Sequence, residues 1–318
     1  MIETTDFPGD QGTVDAQSTR VAREQTPQGP NPVTRSTPTP ALADPLLALT
    51  AATLDDLEST RIANENRLRQ LTRSVQDSDG ETFGLGLPED AAEVRVLTGI
   101  VEAMGAVEQQ AILALQRQMR RHPLGPWALA HHGFGLKQGA RLLAAIGDPY
   151  WNDLHDRPRT VSELWAFCGY RVIEISAADQ ASVGTQARNV GSGTKQGDPD
   201  HTRRGNQPSL VGVAQSRTKG QKSNWSPTAK MRVYLVAVSC MRQRKSPYRA
   251  VYDEARVKYA DSVHQMACRR CGPSGKPAQP GSALSDGHKL ARALRLVSKE
   301  ILKDLWLEAR RIHGVPEE

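Results

Sequence analysis

The chain has few cysteines, a low share of apolar residues and no long apolar run. Four cysteines in 318 residues are too few for a disulfide scaffold and fit a reducing cytosol. The N-terminal stretch lacks the apolar centre of a signal peptide, and no run is long enough to span a bilayer. A soluble, cytoplasmic protein without membrane contact is expected, associated with the nucleoid if its partner is DNA. Apolar residues make up only 38%, alongside 20 prolines and 26 glycines, so part of the chain is expected to stay outside any packed core. Also missing is a set of carboxylates on rigid elements suited to two magnesium ions, which a self-sufficient nuclease would need.

The charge that is present is unevenly placed. The formal net charge is +6. Residues 201–318 carry 23 Lys and Arg against nine Asp and Glu, or +14, and the rest of the chain carries −8. A polyanion would therefore be held mainly by the C-terminal part; the plain alternative is a solubilising surface.

Hydrophobic periodicity divides the chain. Residues 1–43 are rich in Pro, Thr, Gln and Gly without an apolar period and read as a disordered tail. Residues 44–122 contain two amphipathic segments. The first has a stripe of Leu54, Leu57, Leu68, Leu71 and Val75, interrupted by Arg61 and Asn64. The second has Leu97, Ile100, Met104, Val107, Ala111 and Leu115. They predict an antiparallel hairpin or a coiled coil that makes a homo-oligomer. Thr160-Val-Ser-Glu163 is a capping box opening a short helix. Ser226-Pro227 and Ser246-Pro247 each place a cap before a proline suited to the first helical turn. The tyrosines that follow (Tyr234, Tyr248, Tyr252 and Tyr259) lie at helical spacing and read as core. A last helix is expected from about Asp286 to His313, and no strand pattern competes. Residues 176–225 lose periodicity and read as a flexible basic loop. The fold class is mainly α: a tail, a long helical hairpin, and a helical domain over 123–318.

Three clusters could carry chemistry. The first is Gly133-Phe134-Gly135, between a short apolar helix and a second one opening on Gly139 and Ala140. A Gly–apolar–Gly turn of this kind predicts a helix-hairpin-helix, whose second helix offers free amides to a phosphate. Lys137, Gln138 and Arg141 would stand beside it, gripping a nucleic-acid backbone with little sequence readout. An ordinary hairpin that binds nothing has the same pattern. The second cluster is Cys268-Arg-Arg-Cys271 with His264 four residues ahead. It gives three ligands of a candidate structural zinc site, for which His288 or a distant cysteine would have to supply the fourth. The third is the basic stretch of Arg203, Arg204, Arg217, Lys219 and Lys222, leading into Lys230 and Arg232. It suits a phosphate-gripping loop that orders on nucleic acid. A serine in its 215–226 stretch could act as a nucleophile attacking phosphorus, stabilised by neighbouring cations; a phosphate-gripping loop whose serines are merely polar is the alternative.

Residues Gly133 to Asp148 resemble the helix-hairpin-helix segment in the C-terminal domain of the bridge-RNA-guided DEDD insertion-sequence transposases of the IS-one-ten type. Val161–Gly169, Lys230-Met-Arg232-Val-Tyr-Leu235, Pro247-Tyr248 with Tyr252, and the final His288-Lys-Leu-Ala-Arg-Ala stretch follow in the family's order. The resemblance implies DNA and a structured guide RNA as partners, and a serine nucleophile in a Ser-Gly dipeptide. Ser216 matches by position, although Arg217 follows it; Ser192-Gly193 keeps the dipeptide but lies further upstream. Nothing in residues 1–43 replaces the family's DEDD domain, so magnesium chemistry would require a partner supplying that domain. A nucleic-acid-binding protein without catalysis is the leading expectation. A recombinase completed in trans and a helical scaffold for an acidic protein are the rivals.

Overall fold

The computed structural model describes residues 42–76, 78–175, 211–214, 222–273 and 276–315. Eight helices and three two-stranded antiparallel sheets lie among them. The helices are α1 (Pro45–Thr72), α2 (Ala92–Arg121), α3 (Gly125–Ala130), α4 (Leu136–Ile146), α5 (Val161–Phe167), α6 (Pro227–Arg242), α7 (Pro247–Lys258) and α8 (Asp286–Ile312). The fold is mainly α, and no described helix is long and apolar enough to cross a membrane.

Local chemistry sets the helix starts. Asp44 Oδ1 accepts from the amides of Leu46 and Leu47 at 2.9 and 3.1 Å, and Pro45 begins α1. At α5 the capping box is reciprocal: Glu163 N–H donates to Thr160 Oγ1 at 3.3 Å, and Thr160 N–H to Glu163 Oε2 at 2.8 Å. Ser226 caps α6 through Ala229 N–H, whereas Ser246, ahead of α7, makes no such bond.

Helix α8 is the axis of the core. Ala293, Leu294, Val297, Ile301, Leu302, Leu305 and Ala309 are buried along one side. All but Ala293 form a single cluster with Val233, Val236 and Cys240 of α6, with Leu142 and Ile146 of α4, and with the base of α1 and α2. Each buried leucine there contributes on the order of 2 kcal/mol of transfer free energy. Indole and imidazole groups tie the periphery to this axis. Trp165 Nε1–H donates to Lys299 O at 3.0 Å, and Trp306 Nε1–H to Arg159 O at 2.7 Å. His313 Nε2 lies 2.7 Å from Oδ2 of the buried Asp148.

Helices α1 and α2 form the antiparallel hairpin, and its base is continuous with the rest of the core: Leu47, Ala51, Leu54, Leu115 and Met119 are buried in the shared cluster. The two interruptions of the first stripe are polar contacts between the helices. Arg61 Nε–H donates to Glu108 Oε2 at 2.6 Å, and Asn64 Nδ2 lies 3.5 Å from Met104 Sδ. The stripes themselves are less buried than their spacing predicts, because Ile100 and Val107 stay exposed and Val75 lies beyond α1 in a short strand.

The 176–225 stretch also differs from its reading. Val211–Ala214 forms a strand paired antiparallel with Val172–Ile175, in the register Val172↔Ala214. Trp225 packs against Gly169 at the body of the protein. An alternating Val-Gly-Val-Ala tetrapeptide is too short for sequence periodicity to register.

Candidate metal centre and the cationic residues

The connection from α7 to α8 closes on itself through backbone hydrogen bonds. Cys268 and Ala278 exchange a pair at 2.9 and 2.8 Å, His264 N–H donates to Ser282 O at 2.8 Å, and Gly281 N–H returns to His264 O at 2.7 Å. Gly272 is required at the turn after Cys271, since a Cβ there would meet Lys276 O at 1.7 Å. The folded connection places the C-x2-C turn against the N-terminus of α8, where Ser285 is the cap and His288 stands in the first turn.

The result is a convergent set of His264, Cys268, Cys271 and His288. One ligand atom from each lies within 4.8 Å of the others. His288 Nδ1 is 3.3 Å from Cys271 Sγ and 3.8 Å from Cys268 Sγ. His264 Nδ1 faces Ser282 O at 2.9 Å, so it carries the proton. His264 Nε2 is buried with no hydrogen-bond partner. A carbonyl that fixes the tautomer behind a histidine, with a free lone pair in front, is the usual setting of a metal ligand. Burial acts upward on the Cys271 thiol. The Ser285 hydroxyl and backbone, then the flanking His264 and His288, more than offset it and bring the thiol down to about 6. The partial positive charge at the start of α8 acts in the same direction. The arrangement can hold a metal ion with two sulfur and two nitrogen donors. His288, left open by spacing alone, is the fourth member, and its signal was its place three residues after a capping serine.

The hairpin is formed as expected, with α3 and α4 joined across residues 131–135. Phe134 is fully buried, edge-on to Trp127 at 4.9 Å between centroids. Gly135 (φ 69°) caps α4 without a side-chain bond. Gly133 (φ 92°) lies so close to α6 that a Cβ would meet Cys240 Cα at 2.7 Å. His131 is packed between Trp127 and Tyr248.

The hairpin's cations, however, turn inward onto α1. Lys137 Nζ pairs with Glu58 Oε1 at 2.6 Å. Arg141, 4% exposed, pairs with both Asp55 and Glu58, and the buried Arg232 of α6 pairs with Asp55. Burial pushes the Glu58 carboxyl up, but Arg141 and Lys137 hold it below its ordinary value. Gln138 is half-buried, its Oε1 without a partner. Lys137, Arg141 and Arg232, read as phosphate ligands in the sequence, join three helices through these pairs. No signal in the 133–148 segment could reveal this, because the carboxylates come from about 80 residues upstream.

Of the remaining cationic candidates, Lys222 is exposed and Lys230 stands over the Trp225 ring at 4.9 Å. Ser192, Arg203, Arg204, Ser216, Arg217 and Lys219 lie outside the described residues. Arg269 and Arg270, between the two cysteines, are exposed, and neither makes an ion pair among the described residues. Comparison with protein-family models, with curated proteins and with solved structures gives no match.

Proposed function

We propose that this is a helical nucleic-acid-binding protein in which His264, Cys268, Cys271 and His288 hold a structural zinc ion. The observation that carries the reading is the four-ligand cluster itself, with two exposed arginines, unpaired among the described residues, on the turn it would pin. Tetrahedral zinc, with Zn–S of about 2.3 Å and Zn–N of about 2.1 Å, requires sulfur–nitrogen separations of about 3.6 Å. The separations at His288 Nδ1, 3.3 and 3.8 Å, bracket that value. Two soft thiolates and two imidazoles favour zinc over magnesium or calcium, which take oxygen donors. A closed set of four protein ligands suits a structural ion and leaves no position for a reacting water. Bound zinc would fix the turn to the start of α8 and hold Arg269 and Arg270 toward a phosphate backbone, supplying position more than sequence readout. The +14 charge of residues 201–318 supports the same reading. Catalysis is no part of the proposal.

The test combines metal analysis with salt-dependent binding. The purified chain is expected to carry one zinc per chain, and the Cys268→Ser/Cys271→Ser variant to carry none. Binding to a duplex oligonucleotide, followed by fluorescence anisotropy, is expected to weaken linearly in log–log form with salt. Arg269→Ala and Arg270→Ala together should flatten that slope by about two phosphate contacts. Metal-free protein would overturn the zinc assignment, and absence of binding at low salt would overturn the nucleic-acid reading.

A further inference from the structure

Beside the cysteine turn, α6 and α8 enclose a cleft of about 570 Å³, within the range of small-molecule sites. Among the described residues three cations line it and no carboxylate does: Lys230 from α6, Arg295 from α8 and Arg270 from the turn. Arg295 Nη1 is buried without a hydrogen-bond partner. Burial pushes Arg295 down from its ordinary value, and burial followed by the charge of Arg295 does the same to Lys230. Like charges gathered in a partly buried cleft are stabilised by an anion placed among them. The other walls are apolar and aromatic. Trp225, Met231 and Tyr234 stand on one side, and Leu290 and Leu294 belong to the opposite helix. Tyr234 is 47% exposed, the reverse of the core position its helical spacing predicts.

We infer that this cleft binds one nucleotide, its phosphate among Lys230, Arg270 and Arg295 and its base against the Tyr234 side. A cation set alone would take any anion, and an aromatic wall alone any flat apolar ring. The two together fit a planar base joined to a phosphate, either an unpaired nucleotide of a strand or a free one. Stacking on an aromatic side chain and a cationic groove for the backbone are the two components by which proteins hold single-stranded nucleic acid. Arg270 joins the cleft to the metal centre, since it sits between two of the ligands, and Gly287 on the rim precedes a third. The strand source rests on the nucleic-acid reading above; the free-nucleotide source does not.

The probes are single-stranded oligo-dT, a duplex of the same length, AMP, and inorganic phosphate, each titrated into the full chain and into Tyr234→Ala. The expected result is single-strand affinity above duplex affinity, reduced about tenfold in Tyr234→Ala, with the duplex value unchanged. Tyr234 is exposed enough for its truncation to leave folding intact, and circular dichroism checks this. AMP binding tighter than inorganic phosphate, with no polynucleotide binding, would support the cleft as a free-nucleotide site while overturning the nucleic-acid reading. Duplex binding that Tyr234→Ala leaves alone, with no preference for the single strand and no AMP binding, would overturn the cleft and leave that reading standing. Equal affinity for AMP and inorganic phosphate would also overturn it, because the base would then contribute nothing.

Discussion

The α3–α4 hairpin and the turn at Cys268–Cys271 both combine glycine, a tight backbone and cations, and they dispose of their charge in opposite ways. In the hairpin, Lys137 and Arg141 meet Glu58 and Asp55 of α1, and Arg232 shares Asp55. In the turn, Arg269 and Arg270 stay exposed, and the cleft behind them gathers Lys230 and Arg295 without a carboxylate among the described residues. Buried cations matched by carboxylates are structural fastenings, whose removal leaves an uncompensated charge. Unmatched cations at a surface or cleft retain their capacity for an outside anion. Pairing, rather than basicity, separates the two regions.

The sharpest way to break this comparison is to disrupt the hairpin and ask what is lost. Phe134→Ala empties a fully buried site against Trp127 and Gly139 and is expected to cost about 4 kcal/mol in urea unfolding. If the hairpin is internal framework, nucleic-acid affinity of the fraction still folded is unchanged. A loss of affinity without loss of stability would put the hairpin back at the interface. Next in size is Asp55→Ala, which strips one partner from the buried Arg141 and Arg232. A loss of about 3 kcal/mol is expected by the same measurement. Adding Arg232→Met should recover part of it, since an apolar chain of similar length needs no counter-charge. A cost under about 0.5 kcal/mol, ordinary for a surface substitution, would show that the ion pairs do not hold the three helices.

The smallest effect concerns acid. Arg157, the stronger influence, and the Thr160 backbone lower the Glu163 carboxyl to about 2. Its ordinary value is 4.5, so the folded state holds the ionised form more firmly than the unfolded chain. That contribution is complete above about pH 4.5 and is lost as pH falls toward 2. Glu163→Gln should flatten this part of the pH–stability curve, read from thermal melts. An unchanged acid limb would mean that the exposed Arg157 pair adds nothing measurable.

Local signals were legible in the sequence and long-range ones were not. The capping box at Thr160, the serine–proline start of α6, the glycine hairpin and the last helix all follow from residues within one or two turns of each other. Three members of the candidate metal cluster were legible because they fall within eight residues, and the fourth waited on the fold of the connection to α8. The acidic partners of Arg141 and Arg232 come from a helix read only as an apolar stripe. Tyr234 was read as core because helical spacing gives a face, whereas burial depends on which faces α8 covers. Arg61 and Asn64 looked like breaks in a stripe; Arg61 pairs with Glu108 and Asn64 lies against Met104.

The placement of α8 has a consequence for how the chain comes into being. Its 27 residues supply the buried row against which α5, α6 and α7 pack, yet they are synthesised after all of them. A ribosome adds residues at roughly 5–20 per second. The apolar faces of Val233 and Val236 therefore wait for seconds before Leu294, Ile301 and Leu305 emerge to cover them. Until then the nascent chain leaves that part of its interior uncovered, so a pause in translation ahead of Asp286 would favour aggregation or chaperone capture.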